Sequence, residues 1–366
     1  MGKREGGSVN ARGKRAKKII GVDLFAGAGG LSLGAKWAGI DVRMAVEKDY
    51  YAAETYKLNH LATTMKNNDI SNIKEIDVEK DSTTLLFGGA PCQGFSTSNQ
   101  KTRNKDNPSN WLFQEFIRLA KQWQPDWVVF ENVRGIIETE KKYFLDMLLN
   151  SLKKLGYTCT WKILNASDFG VPQIRSRFFL IGSKHGKDVK FPEGIAKTKT
   201  TVKQAFDDLP RLENGAKENQ LEYPHKAKTN YAKSLRGDLS SCTGHLVSKN
   251  SETVVDRYTY IPQGGNWENI PEFLMENYTD RSRCHTGIYY RLTENAPSVT
   301  IGNYRKAMLI HPWEDRGLSV REAARLQSFP DDYQFMGSIG FQQQQVSNAV
   351  PPLLAKAVFE VIVKRD

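Results

Sequence analysis

A glycine-rich turn near the N-terminus is the first segment whose residues could do chemistry. DLFAGAGG (residues 23–30) follows an apolar run and precedes a helical stretch, a setting in which a ligand can approach the backbone and the helix N-terminus. Dinucleotide-binding turns need a third glycine, but Ser32 occupies that position, which disfavours a nicotinamide or flavin dinucleotide. Glu47 lies 20 residues after Gly27, where a carboxylate can accept hydrogen bonds from ribose hydroxyls. The pattern predicts a ribose-containing cofactor; a tight turn followed by a solvated Glu is the alternative.

A cysteine occupies the next glycine-rich segment. GGAPCQGFSTSN (88–99) directly follows an apolar strand, so Cys92 would lie at the carboxyl edge of a sheet, where doubly wound folds bind ligands. Lone cysteines are commonly buried as small apolar residues. Cys92 lies instead among Gly and Ser residues, and this setting makes it a candidate nucleophile.

A carboxylate and two arginines follow later strands. Glu131, in ENV (131–133), comes after the buried-strand run WVVF and would emerge at the same sheet edge as Cys92. A carboxyl in such a cleft is a candidate proton donor when burial raises its pKa, and a solvated Glu at a strand end is the alternative. Arg175 and Arg177, in QIRSRFF, fall on one face of a strand entry. Two adjacent guanidiniums suit a phosphate or a polarised carbonyl, although a structural ion pair also accounts for them.

The histidines and cysteines show no metal-binding pattern. The six histidines are scattered, and the four cysteines are far apart without a CxxC pair. The sequence therefore predicts no metal site and no disulfide framework, and it favours a reducing compartment.

The elements that must position these residues alternate between strands and helices. Short apolar runs alternate with helical stretches from Lys18 to Gly182, which predicts an α/β fold with a parallel, doubly wound, Rossmann-like sheet. Residues 183–290 are polar and interrupted by Gly, Pro and Asn, and they predict a smaller, loop-rich unit with short strands. Helices are expected again at 319–328 and at 352–364, the second apolar enough to dock on the first domain.

The charge balance favours a polyanionic partner. The chain has 366 residues, of which 39% are apolar, and its formal net charge is +11. Residues 1–18 carry seven Lys or Arg and one Glu, and they predict a disordered basic tail that supplies more than half of the excess. No stretch approaches 18 uninterrupted apolar residues, and no apolar segment follows the N-terminal charges, so neither a membrane span nor secretion is expected.

Taken in order, six segments resemble motifs of the DNA (cytosine-5-) methyltransferases, and the chain is similar to compact bacterial members of restriction–modification systems. DLFAGAGGLSLG resembles the cofactor-binding first motif, GGAPCQGFS the catalytic loop, ENV the acidic motif and QIRSRFFLIG the paired-arginine motif. LSVREAARLQSFPD and VSNAVPP resemble the last two motifs. One departure is Ser347, because the final motif more often reads Gly-Asn where this chain has Ser-Asn.

The resemblance implies that the cofactor is S-adenosyl-L-methionine, converted to S-adenosyl-L-homocysteine, and that no metal takes part. It places the adenine beside Phe25, Asp69 and Ile70, and the ribose on Glu47. The cofactor-binding residues implied by the motifs are Phe25, Ala26, Gly27, Gly29, Gly30, Leu31, Glu47, Asp69, Ile70, Pro91, Leu112, Asn348 and Val350.

The resemblance also implies the catalytic roles. Cys92, as a thiolate, would add to carbon 6 of cytosine, and protonated Glu131 would relieve the resulting charge at ring nitrogen 3. Arg175 would hold the base carbonyl, with Arg177 assisting. Carbon 6 is shielded inside a duplex, so the target base must be flipped out. Residues that would contact the DNA are Gln93, Ser96, Ser98 and Thr300.

The implied partner is double-stranded DNA, and the implied protein is a monomer of the prokaryotic or phage cytoplasm, associated with the nucleoid when on DNA. Residues 19–182 with 345–366 would form the catalytic and cofactor-binding domain, and 183–344 the target-recognition domain. A transfer-RNA cytosine-5 methyltransferase and a non-catalytic DNA-binding regulator are the alternatives. The long insert 183–290 favours DNA over transfer RNA, and the presence of both Cys92 and Glu131 argues against a regulator.

Overall fold

A seven-stranded sheet forms the centre of the molecule. This computed structural model describes residues 18–91, 111–195, 198–276 and 287–365. The strands of the sheet are β1 Ile19–Leu24, β2 Ile40–Glu47, β3 Thr64–Asn67, β4 Thr83–Gly89, β5 Trp127–Val133, β6 Thr158–Asn165 and β7 Ser176–Ser183. Their spatial order is β3-β2-β1-β4-β5-β7-β6. The predicted tail lies outside the described residues, apart from Lys18, which pairs with Asp41.

The predicted doubly wound α/β fold is confirmed, but the prediction of a wholly parallel sheet is wrong at β7. Strands β1 to β5 pair in parallel, whereas β7 runs antiparallel to both β5 and β6. The connection from β6 to β7 contains only a short 3-10 turn, Ala166–Phe169, and no crossover helix. A parallel connection needs a dozen or more residues, so the chain returns in the opposite direction.

Helices cover both faces of the sheet. The helices are α1 Gly30–Trp37, α2 Tyr50–Asn59, α3 Phe113–Trp123, α4 Tyr143–Lys154, α5 Val202–Phe206, α6 Asn230–Arg236, α7 Glu252–Thr259, α8 Tyr304–Ala307, α9 Val320–Leu326, α10 Ile339–Asn348 and α11 Pro352–Val363. In β5, Val128 and Phe130 pack with α3 and α4, whereas Trp127 and Val129 pack with α1 and α11. The run WVVF is apolar throughout because both of its faces are covered.

Helix α11 docks on the first domain, as predicted. A Cβ placed on Gly34 of α1 would lie 2.4 Å from the Cβ of Ala355, so the two helices approach closely. Among the described residues, the segment Ile339–Val363 is long and apolar enough to cross a membrane by composition alone. The chain turns between α10 and α11, and Val346 and Leu354 are fully buried on either side of that turn. Packing in the core accounts for the apolar composition of this segment.

The later part of the chain contributes to a core shared with the first. Ala28 and Leu33 lie in one apolar cluster with Phe206 and Leu326, so the two predicted units share packing. A smaller cluster around Tyr258 lies within the later unit. Two short antiparallel strands, β8 Gln220–Glu222 and β9 Ser241–Thr243, agree with the predicted loop-rich character. The predicted domain boundary between residues 344 and 345 falls inside α10 and stays a prediction.

Three buried arginines hold α9 in place. Arg325 contacts Asp331 through two nitrogens, at 3.0 and 2.5 Å, and Asp208 at 2.6 Å. Arg321 donates to the carbonyl oxygens of Thr243, Pro330 and Tyr333, which ties β9 to α9. Arg316 contacts Glu322 at 2.9 and 2.6 Å. Arg321, Arg325 and Asp331 belong to the segment LSVREAARLQSFPD, and Arg316 precedes that segment by two residues. The network fixes the helix that carries Gln327 at its end.

The Arg316–Glu322 pair predicts a specific acid sensitivity. Burial opposes the ionised form of Glu322, but Arg316, His311 and the hydrogen bonds lower its pKa to about 2. A carboxyl with a lowered folded-state pKa stabilises the fold above its unfolded pKa and loses that contribution as the pH falls. We expect the unfolding free energy of the wild type to fall between about pH 4.5 and pH 2. Glu322→Gln should be less stable at pH 7 but should show a smaller loss over this range, measured by urea unfolding at several pH values.

The control for this prediction is Glu360→Gln. Glu360 pairs with Lys364 on the exposed face of α11, where an ion pair contributes little. This variant should keep the acid sensitivity of the wild type. An equal loss of stability with pH in Glu322→Gln and the wild type would contradict the role assigned to the buried pair.

Candidate active site

The glycine-rich turn links the end of β1 to α1. Phe25, Gly27 and Gly29 all have positive φ, at 59°, 55° and 89°. A left-handed conformation is easy for glycine but strained for phenylalanine, and such strain is typical of functional turns. The backbone N–H of Ala26 donates to the carbonyl of Val46 at 2.9 Å, which anchors the turn on β2. The predicted glycine-rich turn between a strand and a helix is therefore present.

Glu47 closes this turn. Its Oε2 accepts from the backbone N–H of Gly27 at 2.7 Å, and its Oε1 accepts from that of Asp49 at 2.7 Å. Burial raises the pKa of Glu47, against the lowering effect of these hydrogen bonds. The carboxylate is thus held by the backbone rather than freely solvated. Each oxygen has a further lone pair that could accept a hydroxyl hydrogen.

The first and last motifs meet directly behind the turn. A Cβ on Gly30 would lie 2.3 Å from the carbonyl oxygen of Val350, so only glycine permits this approach. Leu31 is buried beneath the turn, and Asn348 is exposed at the end of α10. The hydroxyl of Tyr333 donates to the carbonyl of Ala28 from the opposite side. Gly30, Leu31 and Val350 are therefore brought together by packing between α1 and the start of α11.

A second segment lies beside Glu47. The backbone N–H of Asn68 donates to the carbonyl of Glu47 at 3.0 Å, and Asp69 then caps the 3-10 turn Ile70–Asn72. Lys48, 2.7 Å away, and the N–H and hydroxyl of Ser71 lower the pKa of Asp69 to about 2. Ile70 is buried. The segment that carries Asp69 and Ile70 is thus attached to the backbone at the end of β2, where Glu47 lies.

Leu112 and Pro91 flank the segment whose placement is not described. Leu112 is the residue that caps α3, and Pro91 is exposed after the end of β4. Cys92, Gln93, Ser96 and Ser98 lie outside the described residues. The predicted nucleophile and three of the predicted DNA contacts therefore stay predictions.

Asp23 is a buried acid that the sequence reasoning missed. Its Oδ2 accepts from the Ser32 hydroxyl at 2.6 Å, and the Ser32 Oγ in turn accepts from the Tyr56 hydroxyl at 2.6 Å. Its Oδ1 is buried and has no hydrogen-bond partner among the residues that the structure describes. Burial raises the pKa of Asp23 to about 8, partly offset by Ser32 and reinforced by Glu47. The sequence signal for this acid is its position directly before the glycine-rich turn, with the hydroxyl residue Ser32 nine residues later.

Glu131 lies at the base of the segment that carries Cys92. In the parallel pairing of β4 and β5 it lies opposite Gly89, and a Cβ on Gly89 would lie 2.5 Å from its Oε2. The side-chain amide of Asn132 donates to the carbonyl of Ala90 at 3.2 Å, which joins the acidic motif to the same backbone. Cys92 is two residues beyond Ala90 in the sequence. The acid and the predicted nucleophile therefore belong to adjoining strand ends.

The two arginines have different partners. Arg177 Nε lies 3.0 Å from Glu131 Oε1, and both side chains are largely buried. Burial raises the pKa of Glu131, while Arg177 and Arg175 act in the opposite direction. Arg175 donates instead to the carbonyl of Ser347 at 2.7 Å, next to Asn348. The antiparallel course of β7 separates these roles, since it pairs Val133 with Arg177 and leaves Arg175 just before the strand.

Thr300 lies beside Arg175. Its hydroxyl donates to the carbonyl of Ile174 at 2.6 Å, and a parallel bridge joins Gln173 to Ser298. Within the described ranges, no group of three or more His, Cys, Asp or Glu side chains could hold a metal ion. The described site is thus an acid, two arginines, a threonine and a glycine-rich turn around the carboxyl edge of one sheet.

The order of the motifs along the chain matches a known family. The profile of the C-5 cytosine-specific DNA methylases covers residues 19–364. The chain belongs to this family. It is 36% identical to the type II methyltransferase M1.HphI of Haemophilus parahaemolyticus, over 94% of this chain and 87% of that protein. It is 33% identical to the type II methyltransferase M.DdeI of Desulfomicrobium norvegicum, over 93% and 88% of the two chains.

Solved structures agree with this assignment. A prophage-encoded E. coli protein assigned as a DNA modification methyltransferase superposes with a TM-score of 0.77 at 27% identity, covering 95% of this chain and 99% of that chain. The S. pombe Dnmt2 methyltransferase, at 16% identity and a TM-score of 0.54, covers 94% and 97% and shares the fold. The predicted fold, family and enzyme class of this methylase are confirmed. The roles of its individual site residues stay predictions.

Proposed function

We propose that this methylase transfers a methyl group from S-adenosyl-L-methionine to carbon 5 of a cytosine flipped out of double-stranded DNA. The observation that carries the proposal is the position of Glu131. Its largely buried carboxyl lies against Gly89, three residues before Cys92, and contacts Arg177 at 3.0 Å. A proton donor with a cation beside it and a nucleophile at adjoining strand ends suit activation of a poorly nucleophilic ring carbon.

Cys92, Glu131, Arg175 and Thr300 have different roles in this reaction. The Cys92 thiolate forms a bond to carbon 6 while the double bond between carbons 5 and 6 opens. Glu131 relieves the resulting negative charge on the ring by protonating or hydrogen-bonding ring nitrogen 3. Arg175 donates hydrogen bonds to the base carbonyl and favours the thiolate. After methyl transfer to carbon 5, a base removes the proton from that carbon and the thiolate leaves carbon 6. Thr300 supports the flipped nucleotide from the segment beside Ile174.

The glycine-rich turn and Glu47 suit a ligand that carries a ribose. Glu47 accepts from two backbone N–H groups and retains lone pairs for ribose hydroxyls. Bound S-adenosyl-L-methionine would supply an electrophilic methyl group. Phe25, Asp69 and Ile70 would hold its adenine, and the turn from Ala26 to Leu31 its methionine portion, with Pro91, Leu112, Asn348 and Val350 completing the pocket.

Two glycines provide a matched test of this pocket. Gly27 and Gly39 both have positive φ, and a Cβ on either would meet no heavy atom of the described residues within 4 Å. Alanine at either position costs about 1–2 kcal/mol of backbone strain. Only Gly27 lies in the proposed pocket. Gly27→Ala should therefore raise the Kd for S-adenosyl-L-homocysteine by at least about tenfold, while Gly39→Ala leaves it unchanged.

Calorimetry measures the two affinities, and urea unfolding checks that both variants lose similar stability. Equal affinities for S-adenosyl-L-homocysteine in Gly27→Ala and Gly39→Ala would place the cofactor elsewhere.

The biological role is proposed from the relatives. Type II methyltransferases belong to restriction–modification systems, so we propose that this methylase protects DNA in the cytoplasm. We further propose that it acts as a monomer, needs no metal ion and does not associate with a membrane. Residues 183–344 would read base edges in the major groove. The test is incubation with S-adenosyl-L-methionine and unmethylated DNA of high complexity, followed by base-resolution mapping. We expect 5-methylcytosine within one short motif. DNA that stays unmodified, although the protein binds the cofactor, would contradict the proposal and favour transfer RNA as the substrate or a regulatory role.

A further inference from the structure

Two buried glutamine side chains lie between the segments that converge on Arg175. Gln173 and Gln327 are both 0% exposed, although they are 154 residues apart in the chain. The Nε2 of Gln173 donates to the Oε1 of Gln327 at 3.1 Å. Neither amide takes part in the proposed chemistry. A buried amide is costly unless its polar atoms are paired, so its full set of partners indicates what it holds.

Gln173 connects the paired-arginine motif to the segment that carries Thr300. Its Oε1 accepts from the backbone N–H of Ile301 at 3.1 Å and lies 3.5 Å from Arg175 Nη1. Its Nε2 also donates to the carbonyl of Leu326 at 3.0 Å. All of these contacts require the oxygen to face Ile301 and the nitrogen to face α9. The amide orientation is thus determined by its neighbours.

Gln327 extends the chain of contacts to the turn after α10. Its Nε2 donates to the carbonyl oxygens of Val346 at 2.8 Å and Ala349 at 3.3 Å. Arg175 Nη2 donates to the carbonyl of Ser347, which lies between these two residues. The turn that presents Asn348 and Val350 is therefore held from one side by Gln327 and from the other by Arg175.

We propose that Gln173 and Gln327 are positioning residues, an amide pair that sets Arg175 relative to the turn 346–350. The pair gives the Arg175 guanidinium a fixed place between the base and the cofactor pocket before either ligand binds. The proposal rests on the function proposed above for Arg175. Positioning errors of about 1 Å can reduce an enzymatic rate about 100-fold, whereas most DNA affinity comes from phosphate contacts.

The test compares Gln173→Met, Gln327→Met and the double variant with the wild type. Each single variant should lower kcat for DNA methylation by about 10- to 100-fold and change KM for DNA by less than about threefold. Both substitutions break one chain of contacts, so the double variant should be about as slow as the slower single variant. Gln327→Met should also weaken S-adenosyl-L-homocysteine binding by about tenfold in calorimetry. Gln173→Met should not, because of the two glutamines Gln327 alone contacts the carbonyls of the turn.

The matched control is Gln342→Met. Gln342 is a buried glutamine in α10 whose amide donates to the carbonyl of Gly337, outside this pair. It should leave kcat and the affinity for S-adenosyl-L-homocysteine near their wild-type values. If a methionine variant of the pair does not fold, Gln→Asn at the same position keeps an amide but withdraws it from its partners, and it should show the same loss of kcat.

The outcomes separate the two proposals. A wild type that methylates DNA, with a folded single variant whose kcat is unchanged or a double variant whose losses multiply, overturns the positioning role alone. A wild type that methylates no DNA overturns the proposed function, and the positioning role with it.

Discussion

Cys92→Ala is expected to reduce methyl transfer to DNA by at least about 10⁴-fold, because it removes the atom that would bond to carbon 6. Without that bond, carbon 5 is too poor a nucleophile to attack a sulfonium methyl group. DNA affinity should stay within about threefold of the wild type, since phosphate contacts supply most of it. Single-turnover methylation with tritiated cofactor measures the rate, and an electrophoretic shift assay measures DNA binding.

Cys159→Ala is the matched control for this prediction. Cys159 is half-buried on β6, the strand at one edge of the sheet, and three strands separate β6 from β1. It should keep the rate of the wild type. DNA in which 5-fluorocytosine replaces the target should form an adduct with the wild type that survives denaturing electrophoresis, because the fluorine on carbon 5 cannot leave as a proton does. Full activity in Cys92→Ala would contradict the covalent mechanism.

Glu131→Gln is expected to reduce kcat by about 10²- to 10⁴-fold, the range typical of a removed general acid. The amide keeps the size of the side chain but has no acidic proton to give to ring nitrogen 3. Glu138→Gln is the control, because Glu138 pairs with Arg134 on the surface at 2.9 Å rather than with Arg177 in the site. Activity of the control should match the wild type. Single-turnover rates of methylation, measured at saturating cofactor, distinguish Glu131→Gln from Glu138→Gln.

The pH dependence provides a second readout for Glu131. Burial raises its pKa against the opposing effects of Arg177 and Arg175. An acid is protonated below its pKa, so a rate that needs the proton should fall as the pH rises through that value. Glu131→Gln should lack this decline and keep a flat residual rate over the same range. A decline of equal size in both proteins would assign the pH dependence to another group.

Local patterns predicted the strands, the helices and the glycine-rich turn. The glycine-rich segment predicted a turn between a strand and a helix, and Gly27 and Gly29 lie in such a turn with φ values of 55° and 89°. The apolar run WVVF predicted a strand buried on both faces, and Trp127 and Phe130 are fully buried. These features depend on neighbours in sequence, so they can be derived from spacing and residue type. The order of six motifs also predicted the family, and the match of the family profile to residues 19–364 confirms it.

The sequence by itself therefore determined the α/β alternation, the glycine-rich turn, the family and the residue types that could do chemistry. Only the tertiary structure decided which of them meet. The antiparallel course of β7 brings Arg177 into contact with Glu131, and the packing of α10 brings the Ser347 carbonyl to Arg175. Gln173 contacts Gln327, which is 154 residues away in the chain. The physical reason is that each of these contacts joins residues distant in the chain. Their distances depend on strand order and helix packing, which no local periodicity encodes.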